Sequence, residues 1–318
     1  MDKDRYRQLC EHEPVPLFLQ HWWMEAVCAG KRWDVVAAYD RQGNPTAVMP
    51  FLWGSRFGIR YVLQPQLTQF SGPYFFYPEG LDPRRRLAFE HEASRQLLQR
   101  LETFRITYYN QNFSPSVTNW LPFYWAGFAQ TTRYTYRLSS LGDLDAVWAA
   151  MDGNQRRRQV RQNMGRYTLG PATPDELASL HRQYWEARAG HDLLSRDLMT
   201  RVASAALARG QALLLGLRDE EGQLCAVHFA PYDDRCAYSL LSAQRPGGQD
   251  RGVASLLVWL MLRELSSRTQ AFDFEGSMDP DIERYYRSYG AEQTPYSQLT
   301  KSRSRLLSAL FERKHRRS

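Results

Sequence analysis

The chain has 318 residues, 43% of them hydrophobic and 24% charged, enough for a sizeable core and inconsistent with global disorder. Its formal charge of +7 is local: residues 301–318 hold seven Lys/Arg against one acid, residues 153–174 hold five Arg and no acid, and the remainder is mildly acidic. The longest apolar run, 256–262, falls far short of the ~18 residues a membrane helix needs, and residues 1–5 carry no apolar leader, so an intracellular, cytoplasmic protein without a transmembrane segment is expected.

In chain order, the first half reads as helix, hairpin, helix, strand. Residues 17–29 form a helix stopped by Gly30, followed by strands over 33–39 and 46–53 around the Gln42-Gly43-Asn44 turn. A looser stretch, 64–72, ends at Gly72-Pro73. Asp82-Pro83 is an N-cap with proline at N1 for a helix to about Glu102, and 106–109 is a short β run. The second half repeats that order. Thr173-Pro174-Asp175-Glu176 is a capping box opening a helix toward Arg188, and Ser195 caps a second helix. Strands follow over 211–217, 224–231 and 236–243, then a buried helix over 254–267 and a buried strand over 271–275. Each half closes on an aromatic helix end before glycine, Phe123 to Gly127 and Tyr285 to Gly290. A duplicated α+β chain of α/β layers follows, joined near 139–145, although two unrelated α+β domains would show the same element order.

Gln249-Asp250-Arg251-Gly252-Val253-Ala254 opens the buried helix. Backbone N–H groups at such a start lack intrahelical partners and, with the helix dipole, attract an anion, and Gly252 would let a phosphate come close. As a bare string the segment is also ordinary loop-to-helix punctuation. Four cysteines (Cys10, Cys28, Cys225, Cys236) show no metal spacing, and no cluster at ligand spacing points to a metal.

In its setting, that segment resembles the core of the GNAT acyltransferase superfamily. The resemblance implies that Gln249, Arg251, Gly252, Val253, Ala254 and Ser255 bind the pyrophosphate end of an acyl-coenzyme A donor. It also implies that backbone N–H groups of Leu241, Ser242 and Ala243 polarise the carbonyl, and that Tyr286 protonates the departing thiolate. Phe272-Asp273-Phe274-Glu275-Gly276-Ser277-Met278, Ile282-Glu283-Arg284-Tyr285-Tyr286, Gly290-Ala291, Trp148 with Arg157, Arg158 and Arg161, and His21-Trp22-Trp23 are similar to the Fem-like, tandem-GNAT group, which includes peptidoglycan bridge peptidyltransferases. Two GNAT-like lobes are then expected, each a mixed, mostly antiparallel sheet flanked by helices. The N-terminal lobe (1–142) presents the acceptor and the C-terminal lobe (143–300) binds the donor. A basic amphipathic helix (301–318) docks on the first lobe or lies on an anionic membrane surface.

Acyl transfer to an amine needs a base, a polarised carbonyl and an aligned donor. Asp273 and Glu275 alternate along a strand, and Glu275, at the strand's end, is taken as the base; pairing with an Arg or capping the next turn is its plainer alternative. Tyr286 is the candidate acid, or else a core aromatic. Gln69, Tyr74, His228, Asp273 and Ser277 are candidates for lining the acceptor pocket, with the plainer readings of a connecting loop for the first two and a core histidine for His228. Arg157, Arg158 and Arg161 are phosphate contacts or a solvated face. The leading function is N-acyl transfer from acetyl- or longer acyl-coenzyme A to a small-molecule or cell-envelope amine. Transfer from aminoacyl-tRNA to a cell-wall precursor, and a non-catalytic basic scaffold, are the alternatives. The absence of a long heptad arm departs from the bridge-forming members.

Overall fold

A computed structural model describes residues 1–192, 194–247 and 251–302. The chain divides into two compact units, Met1–Arg133 with the chain from Pro295, and Tyr134–Thr294. The division falls inside a strand at 133/134, not at 142. The reason is β-pairing: from Pro295 the last strand pairs antiparallel with a strand of the first unit, Gln298 opposite Asn112 through Ser302 opposite Tyr108. Apart from Lys301 and Ser302, which end that strand, the proposed 301–318 helix lies outside the described residues.

The first unit contains α1 (Lys3–His12), a 3-10 turn (Leu17–Leu19), α2 (His21–Val27), β1 (Arg32–Tyr39), β2 (Pro45–Arg56), β3 (Ile59–Leu63), β4 (Tyr74–Phe75), α3 (Pro83–Glu102), β5 (Tyr108–Asn112), α4 (Leu121–Trp125) and the start of β6 (Ala129–Leu138). Its strands β1, β2 and β3 form an antiparallel meander, and β5 joins β3 in parallel. The helix expected over 17–29 is a turn plus the short α2. Before it stands α1, capped by Asp2 and burying only Tyr6, so that almost no apolar periodicity marks it.

The second unit continues from β6 with α5 (Leu144–Ala150), a π turn (Gly153–Arg157), α6 (Arg158–Asn163), β7 (Thr168–Pro171), α7 (Pro174–Ala189), α8 (Arg196–Ala208), β8 (Ala212–Arg218) and β9 (Leu224–Pro231). It ends with β10 (Cys236–Tyr238), β11 (Leu241–Gln244), α9 (Val253–Leu265), β12 (Ala271–Asp273), α10 (Pro280–Arg287) and the start of β13 (Glu292–Ser302). An antiparallel sheet runs β11-β9-β8-β7, while β12 pairs with β10 in parallel and with β6 antiparallel. The core is built on α9, whose Leu256, Leu257, Met261 and Leu262 are buried with Leu217, Ala226 and Ala230 of β8 and β9. Truncating Leu256 to Ala would cost about 2–5 kcal/mol. Both units are thus helices on mixed, mainly antiparallel sheets, the α+β architecture expected for each lobe. Among the described residues no helix is long and apolar enough to cross a membrane.

Candidate active site

The sequence reads 236–243 as one strand, but the chain changes partners inside it. β10 pairs in parallel with β12, Tyr238 opposite Asp273, and the Ser239 N–H donates to Asp273 O at 2.9 Å. The Leu240 N–H then turns back to Tyr238 O at 2.8 Å, and from Leu241 the chain pairs antiparallel with β9, Ser242 opposite His228. The strands β11 and β12 therefore diverge, opening a wedge. Antiparallel bonds alternate, and the Arg245 N–H donates to Cys225 O at 2.8 Å. The N–H groups of Leu241 and Ala243 accordingly face β9, whereas those of Ser242 and Gln244 face away along an edge that no described strand covers. Of the three expected polarising amides, only that of Ser242 points outward.

The start of α9 is a left-handed Gly252 with φ +85° and no side-chain cap, and the helical ladder begins with Leu256 N–H to Gly252 O at 3.1 Å. The N–H groups of Val253, Ala254 and Ser255 thus lack intrahelical acceptors, as an anion site requires. The glycine serves packing, however. A Cβ there would lie 2.9 Å from Asn163 Nδ2 and 3.0 Å from Gln159 Cβ, so the missing side chain admits α6. Asn163 Nδ2 donates to Arg251 O at 3.0 Å, and the Ser255 hydroxyl donates to Gln159 Oε1 at 2.7 Å, so it is the Ser255 backbone N–H, not its hydroxyl, that remains for an anion. Buried Arg156 donates to Ser255 Oγ (3.0 Å), Gln159 Oε1 (2.7 Å) and Ser288 Oγ (2.6 Å), with its guanidinium 4.1 Å from the Tyr285 ring centre.

Among the sequence candidates, Arg158, Arg161 and Arg251 are exposed, and Arg161 lies over the Trp148 ring. Arg157 is half-buried and its Nε finds no partner. Gln249 lies outside the described residues.

On β12, Asp273, a candidate for the acceptor pocket, is fully buried and held by protein groups. Its Oδ1 accepts hydrogen bonds from the Thr135 hydroxyl and from the Glu275 N–H (2.8 Å), and its Oδ2 lies 3.5 Å from Arg137 Nε. Thr135 Oγ1 in turn accepts from the Gly276 N–H at 2.9 Å. Gly276 has no alternative: a Cβ would stand 1.9 Å from Tyr134 O. Between these fixed points Glu275 adopts φ +56°, a conformation costing a non-glycine residue about 1–3 kcal/mol. Its Oε1 is buried without a hydrogen-bond partner, and burial together with the Asp273 charge pushes its carboxyl well above the usual range. Tyr286 stacks at 5.1 Å on Phe274 and 6.2 Å on Tyr136; burial pushes its phenol up, and the Glu275 charge adds to that. The structure therefore brings the candidate base and acid within electrostatic reach of each other. Among the described residues no ion pair joins Glu275 to an Arg.

His228 is buried on β9, its Nε2 2.9 Å from Ser239 Oγ, and burial pushes its imidazole down to about 4, leaving it neutral. Ser277 Oγ accepts the Asp279 N–H at 3.0 Å ahead of α10. Gln69 and Tyr74 belong to the first unit, where Gln69 is buried and Tyr74 packs on Phe76 at 5.1 Å. Among the described residues no group of three metal-ligating side chains occurs. Thr135, Arg137, Ser239, Gln159 and Asn163 went unrecognised in the sequence, since only the tertiary fold brings them to these positions.

Residues 152–287 match the Acetyltransferase (GNAT) domain family. No curated protein matches the chain by sequence. Among solved structures it is similar to FemX (TM-score 0.67, 11% identity, covering 93% of this chain and 96% of that one). It is also similar to the C-terminal domain of a protein assigned as a lysylphosphatidylglycerol synthetase from Agrobacterium fabrum (0.61, 12%, 98% and 96%). A tandem GNAT protein of the clavulanic acid biosynthesis pathway matches at 0.50, with 14% identity and 94% and 92% coverage. Residues 152–287 thus carry a GNAT acetyltransferase-type domain, and the chain as a whole shares its fold with FemX and the tandem GNAT protein.

Proposed function

We propose that the second unit moves an acyl group from acyl-coenzyme A to an amine, with the donor lying in the wedge between β11 and β12. The observation that carries this reading is the divergence of the two strands beside an uncapped helix start. The outward amide of Gln244 matches the amide-bearing arm of the donor, as an edge strand matches an added strand, and that of Ser242 is left for its acyl end. The N–H groups of Val253, Ala254 and Ser255, which lack intrahelical acceptors, suit its phosphates, with Arg251 close by in the chain.

Glu275 takes the proton from the attacking amine. An ammonium arriving beside its unpartnered Oε1 supplies the counter-charge the buried carboxyl lacks, and proton exchange then leaves neither group isolated as an ion. Tyr286, kept protonated by burial, delivers a proton to the leaving thiolate. The outward N–H of Ser242 supports the carbonyl oxygen as negative charge develops there.

A second reading keeps the site and takes aminoacyl-tRNA as donor and a cell-envelope amine as acceptor. Exposed Arg158, Arg161 and Arg166 support it, as do the structural likenesses to FemX and to the lysylphosphatidylglycerol synthetase domain. The two are separated by measuring free thiol released from acetyl-coenzyme A in the presence of amines against aminoacyl transfer from charged tRNA. The first reading requires thiol release that depends on Glu275. Salt-dependent transfer from tRNA with no thiol release replaces it by the second.

A further inference from the structure

We propose that Ser239, held by His228, donates a hydrogen bond to the carbonyl oxygen of the transferred acyl group, forming a side-chain oxyanion contact where β10 and β11 part. The proposal rests on the donor lying in the β11–β12 wedge, as argued above.

Ser239 is the residue at which the chain leaves β12, and its N–H is already committed to Asp273 O. Its side chain is half-exposed, and its one hydrogen-bond contact among the described residues is His228 Nε2 at 2.9 Å. The geometry fixes the direction of that bond. His228 is 1% exposed and its Nδ1 finds no hydrogen-bond partner. A proton on Nδ1 would bury an N–H donor with no acceptor, whereas a proton on Nε2 leaves only an unfilled acceptor, the cheaper defect. The imidazole therefore donates from Nε2 to Ser239 Oγ, and the serine hydrogen is free to point elsewhere.

An aromatic row links this pair to the candidate acid. His228 meets the Phe272 ring edge-on at 6.3 Å, Phe272 meets Phe274 at 4.9 Å, and Phe274 stacks on Tyr286 at 5.1 Å. A hydroxyl donor thus stands at one end of the row and a phenol at the other. Ser239 acts on the reacting carbonyl; His228 is a positioning residue that takes the competing role of acceptor away from the serine hydrogen.

The test combines nitrogen NMR of the free protein with thiol release from acetyl-coenzyme A, using a mixture of amino acids as acceptors. The His228 signals are expected to report the Nε2–H form; a proton on Nδ1 overturns the proposal without any assay of turnover. Ser239→Ala is expected to lower kcat about 100-fold at near-constant donor KM and unchanged Tm. His228→Leu should match it, while His228→Gln, which keeps an N–H toward the serine, recovers most of the rate. Full kcat in S239A, or an acyl group found covalently on Ser239, overturns the proposal while leaving the donor site standing. A wild-type chain that neither binds nor consumes the donor overturns the donor site and the proposal with it.

Discussion

Thr135 joins Asp273 to Gly276: its hydroxyl donates to the buried carboxylate and accepts the glycine N–H at 2.9 Å. One small side chain thereby holds the chain on both sides of Glu275 in place. Thr135→Val keeps the shape and deletes both bonds. It leaves a buried charge short of a donor and a buried N–H without an acceptor, so a loss of about 2–3 kcal/mol in urea unfolding is expected, with Thr135→Ser retaining most of the stability. Equal stability of the two variants would show that the bonds carry no load.

Glu275 should leave a signature in pH. Burial and Asp273 raise its folded pKa, so the native chain keeps a proton that the unfolded chain releases above the ordinary carboxyl range. Stability is therefore lost as pH rises through that window, because the unfolded state binds fewer protons. Glu275→Gln is expected to unfold like wild type near pH 4 and to be more stable than wild type near pH 8, while its kcat falls about 10²- to 10⁴-fold. A stability difference independent of pH would place the carboxyl in water.

The outward N–H of Ser242 offers a separation of fold from binding. Proline lacks that donor, yet the ladder to β9 runs through Leu241 and Ala243, so Ser242→Pro spares it. Near-native Tm with at least tenfold weaker acetyl-coenzyme A binding is expected, each tenfold being about 1.4 kcal/mol. Unchanged affinity would mean that the donor does not pair with this edge.

These sites were unevenly legible in the sequence. The helix starts were readable because their signals are local: Thr173 accepts the Glu176 N–H at 3.2 Å, and Glu176 Oε2 accepts the Thr173 N–H at 2.8 Å, both bonds within four residues. Glu275 was proposed from its place at a strand end, and Tyr286 through the resemblance. The parting at Ser239 was not legible, since 236–243 contains no Gly or Pro and the switch of partner is decided by β9 and β12. The surroundings of Asp273 were not legible either: the left-handed turn at Glu275 ends the strand's alternation, and Thr135 and Arg137 close over Asp273 from distant positions in the chain. Beside the candidate arginines, the burial of Arg156 was not legible, because Ser255, Tyr285 and Ser288, which enclose it, are all distant in sequence. The space made by Gly252 goes to α6 for the same reason.

Titration calorimetry with acetyl-coenzyme A on the wild-type chain tests the central claim most directly. One donor molecule per chain is expected to bind at micromolar strength, with acetyl-coenzyme A displaced by desacetyl coenzyme A, which shares its phosphates and amide arm. No heat of binding at millimolar donor would contradict a donor site between β11 and β12.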